Sequence, residues 1–364
     1  MREAGPPQRR TPWPLYRATY RVISWVWVGS LAAALVGCDQ APDPAELDRW
    51  LEEAHRAEAE AQRSHEVEDE ATDWTLTVLG ETRSGAPLLL RNPDLEAAST
   101  VTIGARPPLS AAEHGAFRGV RLSELVGRAG GPMPSVEEVT LVASDGFRAT
   151  VAWQDVERAP IVLATYLDGV RLRREQGGPL ITAFPLDDYP DLLERYSESY
   201  WVYYVTHLVV GTPRPTVRVG DQQLDADALG RLPTSEVRAS VGYRVGWPSD
   251  AVRVVGPTLA EVLRAANLEL PEGGRIRVLS LAPISRGPDR PTYVSAAEVE
   301  SGEVLLGLAY GEDGAPIPAR LGGPIVLAFS DAIAGAHPGH DWLTFVTDVR
   351  IELAAGDAPS AVVP

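Results

Sequence analysis

The feature that most restricts what this chain can become is that it contains one long pattern twice. The segment FRGVRLSELVGRAG (117–130) is matched by VVGPTLAEVLRAAN (254–267), which sets Gly119 over Gly256, Leu122 over Leu259 and Glu124 over Glu261. Asp168-Gly169 is matched by Asp313-Gly314, GGPLITAFPLD (177–187) by GGPIVLAFSDA (322–332), and WVYYVTHLVV (201–210) by WLTFVTDVRI (342–351). The offsets are 137, 145, 145 and 141 residues, so order and spacing both persist. A repeat of that length is a duplicated unit with a core of its own. The boundaries that follow are 74–212 for the first copy and 213–354 for the second.

Each copy reads as short β-type runs separated by Gly and Pro turns. It opens on a hairpin-like pair, TLTVLGETRSGAPLLL or TVRVGDQQLD. A short amphipathic helix follows, with Leu122, Leu125 and Val126, or Leu259, Val262 and Leu263, at helical spacing. Strands VTLVASD and IRVLSLA come next, and then a helical turn opens at Trp153-Gln154-Asp155 or Ser295-Ala296-Ala297-Glu298. A Gly-Gly-Pro turn leads to a buried strand, and an aromatic-rich closing strand begins at Trp201 or Trp342. The predicted class is α+β, dominated by strands.

The succession F-x-G-x-x-L-x-x-L, S-D-G-F-R-A-T-V, L-A-T-x-x-D-G, G-G-P-L and W-V-x-x-V-T resembles the molybdopterin-binding domain of sulfite-oxidase-type oxidoreductases. The resemblance covers about residues 74–211 and, more diverged, 213–353. It rests on turns and core positions, which speak for fold more than for chemistry. It implies a metal held by the pterin dithiolene and one cysteine thiolate on the strand after the opening hairpin. The strands at that place read Ser99–Gly104 and Glu236–Ser240, and neither has a cysteine. Apolar side chains do not replace a soft thiolate, and the Ser240 hydroxyl is a poor substitute. For the pterin phosphate the resemblance calls for converging cationic donors. Arg148, Arg171, Arg173 and Arg174 are the candidates in the first copy, and Arg286 and Arg290 in the second; plain surface charge is the competing reading.

The chain's single cysteine, Cys38, sits elsewhere. Five arginines and one glutamate precede Val22–Gly37, a stretch of 16 residues without charge that ends in Leu35-Val36-Gly37-Cys38. Basic residues, an apolar stretch and a small residue before the cut make a secretory signal. The ending resembles a lipobox, which implies cleavage between Gly37 and Cys38 and a lipid on the Cys38 thiol. An uncleaved anchor helix is the alternative, although the stretch is short for a span. Residues 38–73 carry thirteen acids against three arginines, and read as an acidic, partly helical tether. Asp39 after the cysteine favours the cytoplasmic membrane, with its extracytoplasmic face as the expected location and the outer membrane as the other. Residues 355–364 read as a disordered tail.

One cysteine excludes disulfides within the chain and Cys-based metal centres. All 33 positive charges are arginine, and the net charge of −17 removes nucleic acid from consideration. His337, His340 and Asp341 are a candidate metal group in a Pro/Gly loop, for which a plain turn is equally suitable. Asp187-Asp188 could pair as acid and base, but no histidine stands beside them in sequence. Tyr196, Tyr200, Trp201, Tyr203 and Tyr204 read as one aromatic strand with a core face. No catalytic residue is assigned and no cofactor is expected. The leading expectation is a membrane-anchored, non-catalytic binding or assembly protein beside an extracytoplasmic redox partner. The alternatives are a molybdopterin-dependent oxidoreductase with a non-cysteine metal site, and a small-ligand binder using the cleft between the copies.

Overall fold

The computed structural model describes residues 74–106, 114–241, 246–248, 250–281, 292–336 and 342–353. The leader, Cys38, the tether and the C-terminal tail lie outside the described residues, as do Arg286, Arg290, His337, His340 and Asp341. The described residues belong to one unit, Ala71–Pro364.

Its first half runs β1 (Thr75–Gly80), β2 (Leu88–Arg91), β3 (Thr100–Ala105), β4 (Gly115–Arg121), β5 (Glu138–Ala143), β6 (Arg148–Ala152), β7 (Val162–Leu167), β8 (Val170–Arg171), β9 (Ile181–Ala183) and β10 (Val205–Val210). Three helices are interposed: α1 (Asn92–Glu96), α2 (Leu122–Arg128) and α3 (Trp153–Arg158). The second half repeats the order. Its strands are β11 (Thr216–Val219), β12 (Gln222–Asp225), β13 (Ser235–Ala239), β14 (Val252–Gly256), β15 (Gly274–Ser280), β16 (Thr292–Ser295), β17 (Val304–Gly307), β18 (Ala309–Tyr310), β19 (Ala315–Pro316), β20 (Val326–Phe329) and β21 (Val346–Leu353). Its helices are α4 (Ala226–Gly230), α5 (Leu259–Ala265), α6 (Ala296–Ser301) and α7 (Asp331–Ala336).

Sheet topology makes the correspondence concrete. One five-stranded sheet is ordered β2-β1-β10-β5-β6, and another is ordered β12-β11-β21-β15-β16. In each, the first and last strands of the half lie parallel and the other pairs are antiparallel. Beside the first sheet lies β3-β4-β7-β8, with β9 on β7. Beside the second lie β13-β14-β18-β19 and the separate pair β17-β20. The long β7 of the first half is thus divided in the second, with Leu308 between the pieces and its N–H bonded to the Val255 carbonyl at 2.9 Å.

Local chemistry explains the elements. Leu122, Leu125 and Val126 are buried on α2, as are Leu259, Val262 and Leu263 on α5, so each helix has the apolar stripe its spacing predicts. The Thr258 hydroxyl caps α5 by accepting from the Glu261 N–H at 3.2 Å. Ser295 and Glu298 form a reciprocal capping box on α6. One core gathers Leu76, Phe117, Leu125, Phe184 and Trp201, and another gathers Val217, Leu259, Ile276, Phe329 and Trp342.

A small third cluster joins the halves. Val142 and Val209 from the first meet Ala319 and Phe345 from the second. Around it Arg148 Nε donates to the Arg320 carbonyl at 2.9 Å, and the Ala319 N–H donates to the Thr212 hydroxyl at 3.0 Å. The Arg320 guanidinium reaches Glu138 at 3.3 Å.

The closing strands begin later than expected, at Val205 and Val346 instead of at the tryptophans. Just before each strand the chain passes through a left-handed residue, Tyr204 (φ 53) or Phe345 (φ 55), whose N–H bonds the carbonyl of Gly177 or Gly322. That turn breaks the alternation expected for the aromatic run. Trp201 and Tyr196 go into the core, whereas Tyr203 and Tyr204 stay partly exposed.

Candidate functional site

The residues proposed for a pterin phosphate do not converge. Arg148 opens β6 and is buried at the junction, its Nε on the Arg320 carbonyl. Arg171 lies on the exposed β8 and pairs with Glu96 at 3.1 Å. Arg173 pairs with Glu175 at 3.1 Å, and Arg174 begins the short 3-10 turn Arg174–Gln176. Arginines bound to carboxylates and to a buried carbonyl do not form a phosphate cradle. The strands where the resemblance places a thiolate are β3 and β13, and neither supplies sulfur. Among the described residues no group of three or more His, Cys, Asp or Glu could hold a metal. Among the described residues the donor set therefore does not fit the metal site that the resemblance implies. His337, His340 and Asp341 lie outside the described residues.

What the fold does assemble is a cavity of about 440 Å³ in the first half. Phe117 comes from β4, and Trp201 stands against it edge-on with ring centroids 5.3 Å apart. The turn between β5 and β6 contributes Asp145 and Phe147, held by the Phe147 N–H donating to Asp145 Oδ1 at 2.9 Å. The Arg174–Gln176 turn contributes Glu175 and Gln176. Tyr203 and Tyr204 complete the wall. The Tyr204 hydroxyl donates to the Arg174 carbonyl at 2.7 Å, and its own carbonyl accepts from the Ser144 N–H at 3.0 Å. One tyrosine thus fastens both loops at the mouth. The Tyr203 ring fills the space a Cβ on Gly177 would need, so that glycine (φ 87) is required both sterically and by its backbone conformation.

Sequence reading missed this site because its parts come from five separate segments. Only the aromatic run was visible, and it was read as a strand. Two further groupings also escaped it. His114 Nδ1 lies 3.2 Å from Asp187 Oδ2, near Gly104 on β3, which gives Asp187 the imidazole neighbour that the linear sequence does not supply. Both side chains are about half exposed, and neither reaches the cavity wall. Asp155 is fully buried on α3 and accepts from Arg158 Nε at 2.9 Å, Arg195 at 2.9 Å and the Tyr196 hydroxyl at 2.6 Å. Burial, and then the bond to Asp155, push the Tyr196 phenol up to about 12. Arg158 also pairs with Asp191, and that hydrogen bond holds the Asp191 carboxyl below its ordinary value. This network ties α3 to the segment before Trp201 and is structural, since every polar atom named is already bonded.

Where the halves meet there is a second, wider cleft of about 740 Å³, lined by Leu79, Glu81, Met133, Arg214, Phe345 and neighbouring residues. Its walls mix apolar and polar groups without a convergent set.

No family model matches the chain, and no curated protein matches it. Among solved structures that do match is the crystal structure of the sulfane dehydrogenase SoxCD from Paracoccus pantotrophus, at 15% identity and a TM-score of 0.30. The match covers 61% of this chain and 59% of that one, so the chain spans less than two thirds of that structure's chain.

Proposed function

We propose that this chain is a lipid-anchored, non-catalytic binding protein. In this reading residues 74–212 and 213–354 are tandem copies of a sulfite-oxidase-type scaffold that has lost its metal. Cys38 carries the lipid, 38–73 is the acidic tether, and the folded part works at the extracytoplasmic face of the cytoplasmic membrane beside a redox partner. The observation that supports the non-catalytic role is the donor set. Neither β3 nor β13 offers a thiolate, and Arg148, Arg171 and Arg173 are committed to a carbonyl and two carboxylates. In the sulfite-oxidase-type arrangement that the resemblance implies, the metal takes one thiolate from the chain, and the pterin phosphate calls for convergent cations.

The test is metal analysis of the full-length chain made in a host that synthesises molybdopterin. The expected result is molybdenum far below one atom per chain, and stoichiometric molybdenum retained through gel filtration would overturn the reading. For the tether, the wild-type chain is expected to lose residues 1–37 and to take up a radioactive fatty acid, and Cys38→Ser is expected to abolish that labelling and to leave the leader uncleaved. A wild-type chain that takes up no fatty-acid label and keeps residues 1–37 would refute the lipid anchor and favour the uncleaved helix.

A further inference from the structure

The two halves can be compared position by position at the cavity. Phe117 on β4 faces Leu167 on β7 in register, and in the second half Val254 on β14 faces Tyr310 on β18. The repeat places Gln176, Gly177 and Trp201 over Leu321, Gly322 and Trp342. So the cavity-lining set Leu167, Gln176 and Trp201 has Tyr310, Leu321 and Trp342 as its counterparts. All three of those counterparts touch one side chain, Trp247. Its ring stands edge-on to Tyr310 at 5.7 Å and to Trp342 at 5.8 Å, and its indole N–H donates to the Leu321 carbonyl at 2.8 Å. Trp247 is 8% exposed. The second half has therefore filled with its own indole the space that the first half keeps as a cavity. The mouth differs as well. Phe345, the counterpart of Tyr204, is packed into the junction cluster, while Tyr204 stays partly exposed.

A space that one copy fills with an aromatic ring and the other leaves open is shaped for a ligand of about that size. The chemistry of the lining decides which kind. Phe147, Trp201, Tyr203 and Tyr204 line the space with aromatic rings, whose faces carry negative potential. Asp145 and Glu175 add carboxylates, and among the described residues no basic side chain lines the cavity. Glu175 is shared with Arg173 outside the lining, whereas Asp145 has no ion pair among the described residues and keeps one oxygen beyond the Phe147 N–H. Anions are excluded by this lining. A neutral apolar molecule would use the rings but leave the carboxylates without a role.

We propose that this cavity binds an organic cation, a quaternary or alkylated ammonium group, with the charge over the rings and near Asp145. Aromatic walls with a carboxylate at the rim are the recognition chemistry for such groups. The site is independent of the lipid anchor and of molybdenum content, so neither result of the tests above decides it.

The experiment is calorimetric titration of the full-length chain with choline and, in parallel, with 3,3-dimethylbutan-1-ol, its uncharged isostere. Choline is expected to bind at one site per chain, and the isostere about tenfold or more weaker. Asp145→Asn keeps an oxygen for the Phe147 N–H and is expected to weaken choline by about tenfold while leaving the isostere unchanged. Trp201 belongs to the core, so Phe147→Ala is the aromatic variant, and it should weaken both probes. Equal affinity for choline and its isostere, or no binding of choline at millimolar concentration to a chain that unfolds cooperatively, would overturn the proposal. Choline binding unaffected by both variants would overturn it too, because the cation would then sit elsewhere.

Discussion

Gly119→Ala and Gly256→Ala should each cost at least about 4 kcal/mol, enough to lower the melting temperature of their half by about 10 °C or to prevent folding. Both glycines lie where the strand before the buried helix passes under a neighbouring backbone. A Cβ on Gly119 would fall on the Leu163 carbonyl oxygen, and one on Gly256 would fall on the Leu306 carbonyl oxygen. Gly119 is registered beside Ala164 just past a ladder irregularity, so the strands cannot separate without breaking the pairs on either side. No rotamer relieves a clash between a Cβ and main chain; only the backbone can move. Gly127→Ala is the internal control. That glycine is inside α2 and has nothing within 4 Å of a built Cβ, so alanine should stabilise by about 0.5–1 kcal/mol. Urea unfolding of the three variants measures this directly. A loss below about 1 kcal/mol at Gly119 would mean that β4 and β7 are not held as described.

The same glycines show why some of the fold is legible in the sequence and some is not. Gly119 and Gly256 align in the repeat, and steric necessity at both is what kept the pattern readable over a spacing of 137 residues. Capping chemistry is local in the same way, so Thr258 and the Ser295–Glu298 box announce α5 and α6 within four residues. The closing strands were misplaced because an aromatic run carries the composition of a strand, while its conformation is set by a distant partner, the carbonyl of Gly177. The cavity was unreadable for a related reason. Whether Trp201 borders an open space or a packed one depends on whether another segment brings in an indole, as Trp247 does for Trp342. The absence of a thiolate was legible, since a missing residue type needs no geometry. The dispersal of Arg148, Arg171 and Arg173 became visible only when their partners were placed.

Between pH 6.5 and about 4 the folded chain should lose about 3 kcal/mol of stability through His207 alone. His207 lies on β10, opposite Thr77 on the parallel β1 and Val142 on β5, with its Nδ1 2.9 Å from the Thr206 hydroxyl. Burial lowers its pKa to about 4, because a protonated imidazole there would exchange water for a polar contact too weak to compensate. The unfolded chain titrates near 6.5, so below that pH it takes up a proton that the native state refuses, and stability falls until the folded group titrates near 4. The second half shows the alternative solution at the same position. There Arg218 on β11 stands opposite Asp348 on β21, and three hydrogen bonds of 2.9, 3.1 and 2.7 Å join them. Burial works to raise the Asp348 carboxyl, but the bonds from Arg218 and Arg350 outweigh it and hold the group below its ordinary value. Its contribution is present above the unfolded carboxylate pKa and is lost only as the pH falls below that point, outside most of the histidine window. His207→Gln should therefore flatten the stability profile between pH 6.5 and 4.5, and Asp348→Asn should leave that slope in place. Parallel slopes for the wild-type chain and His207→Gln in urea unfolding across this range would show that the imidazole is not the group responsible.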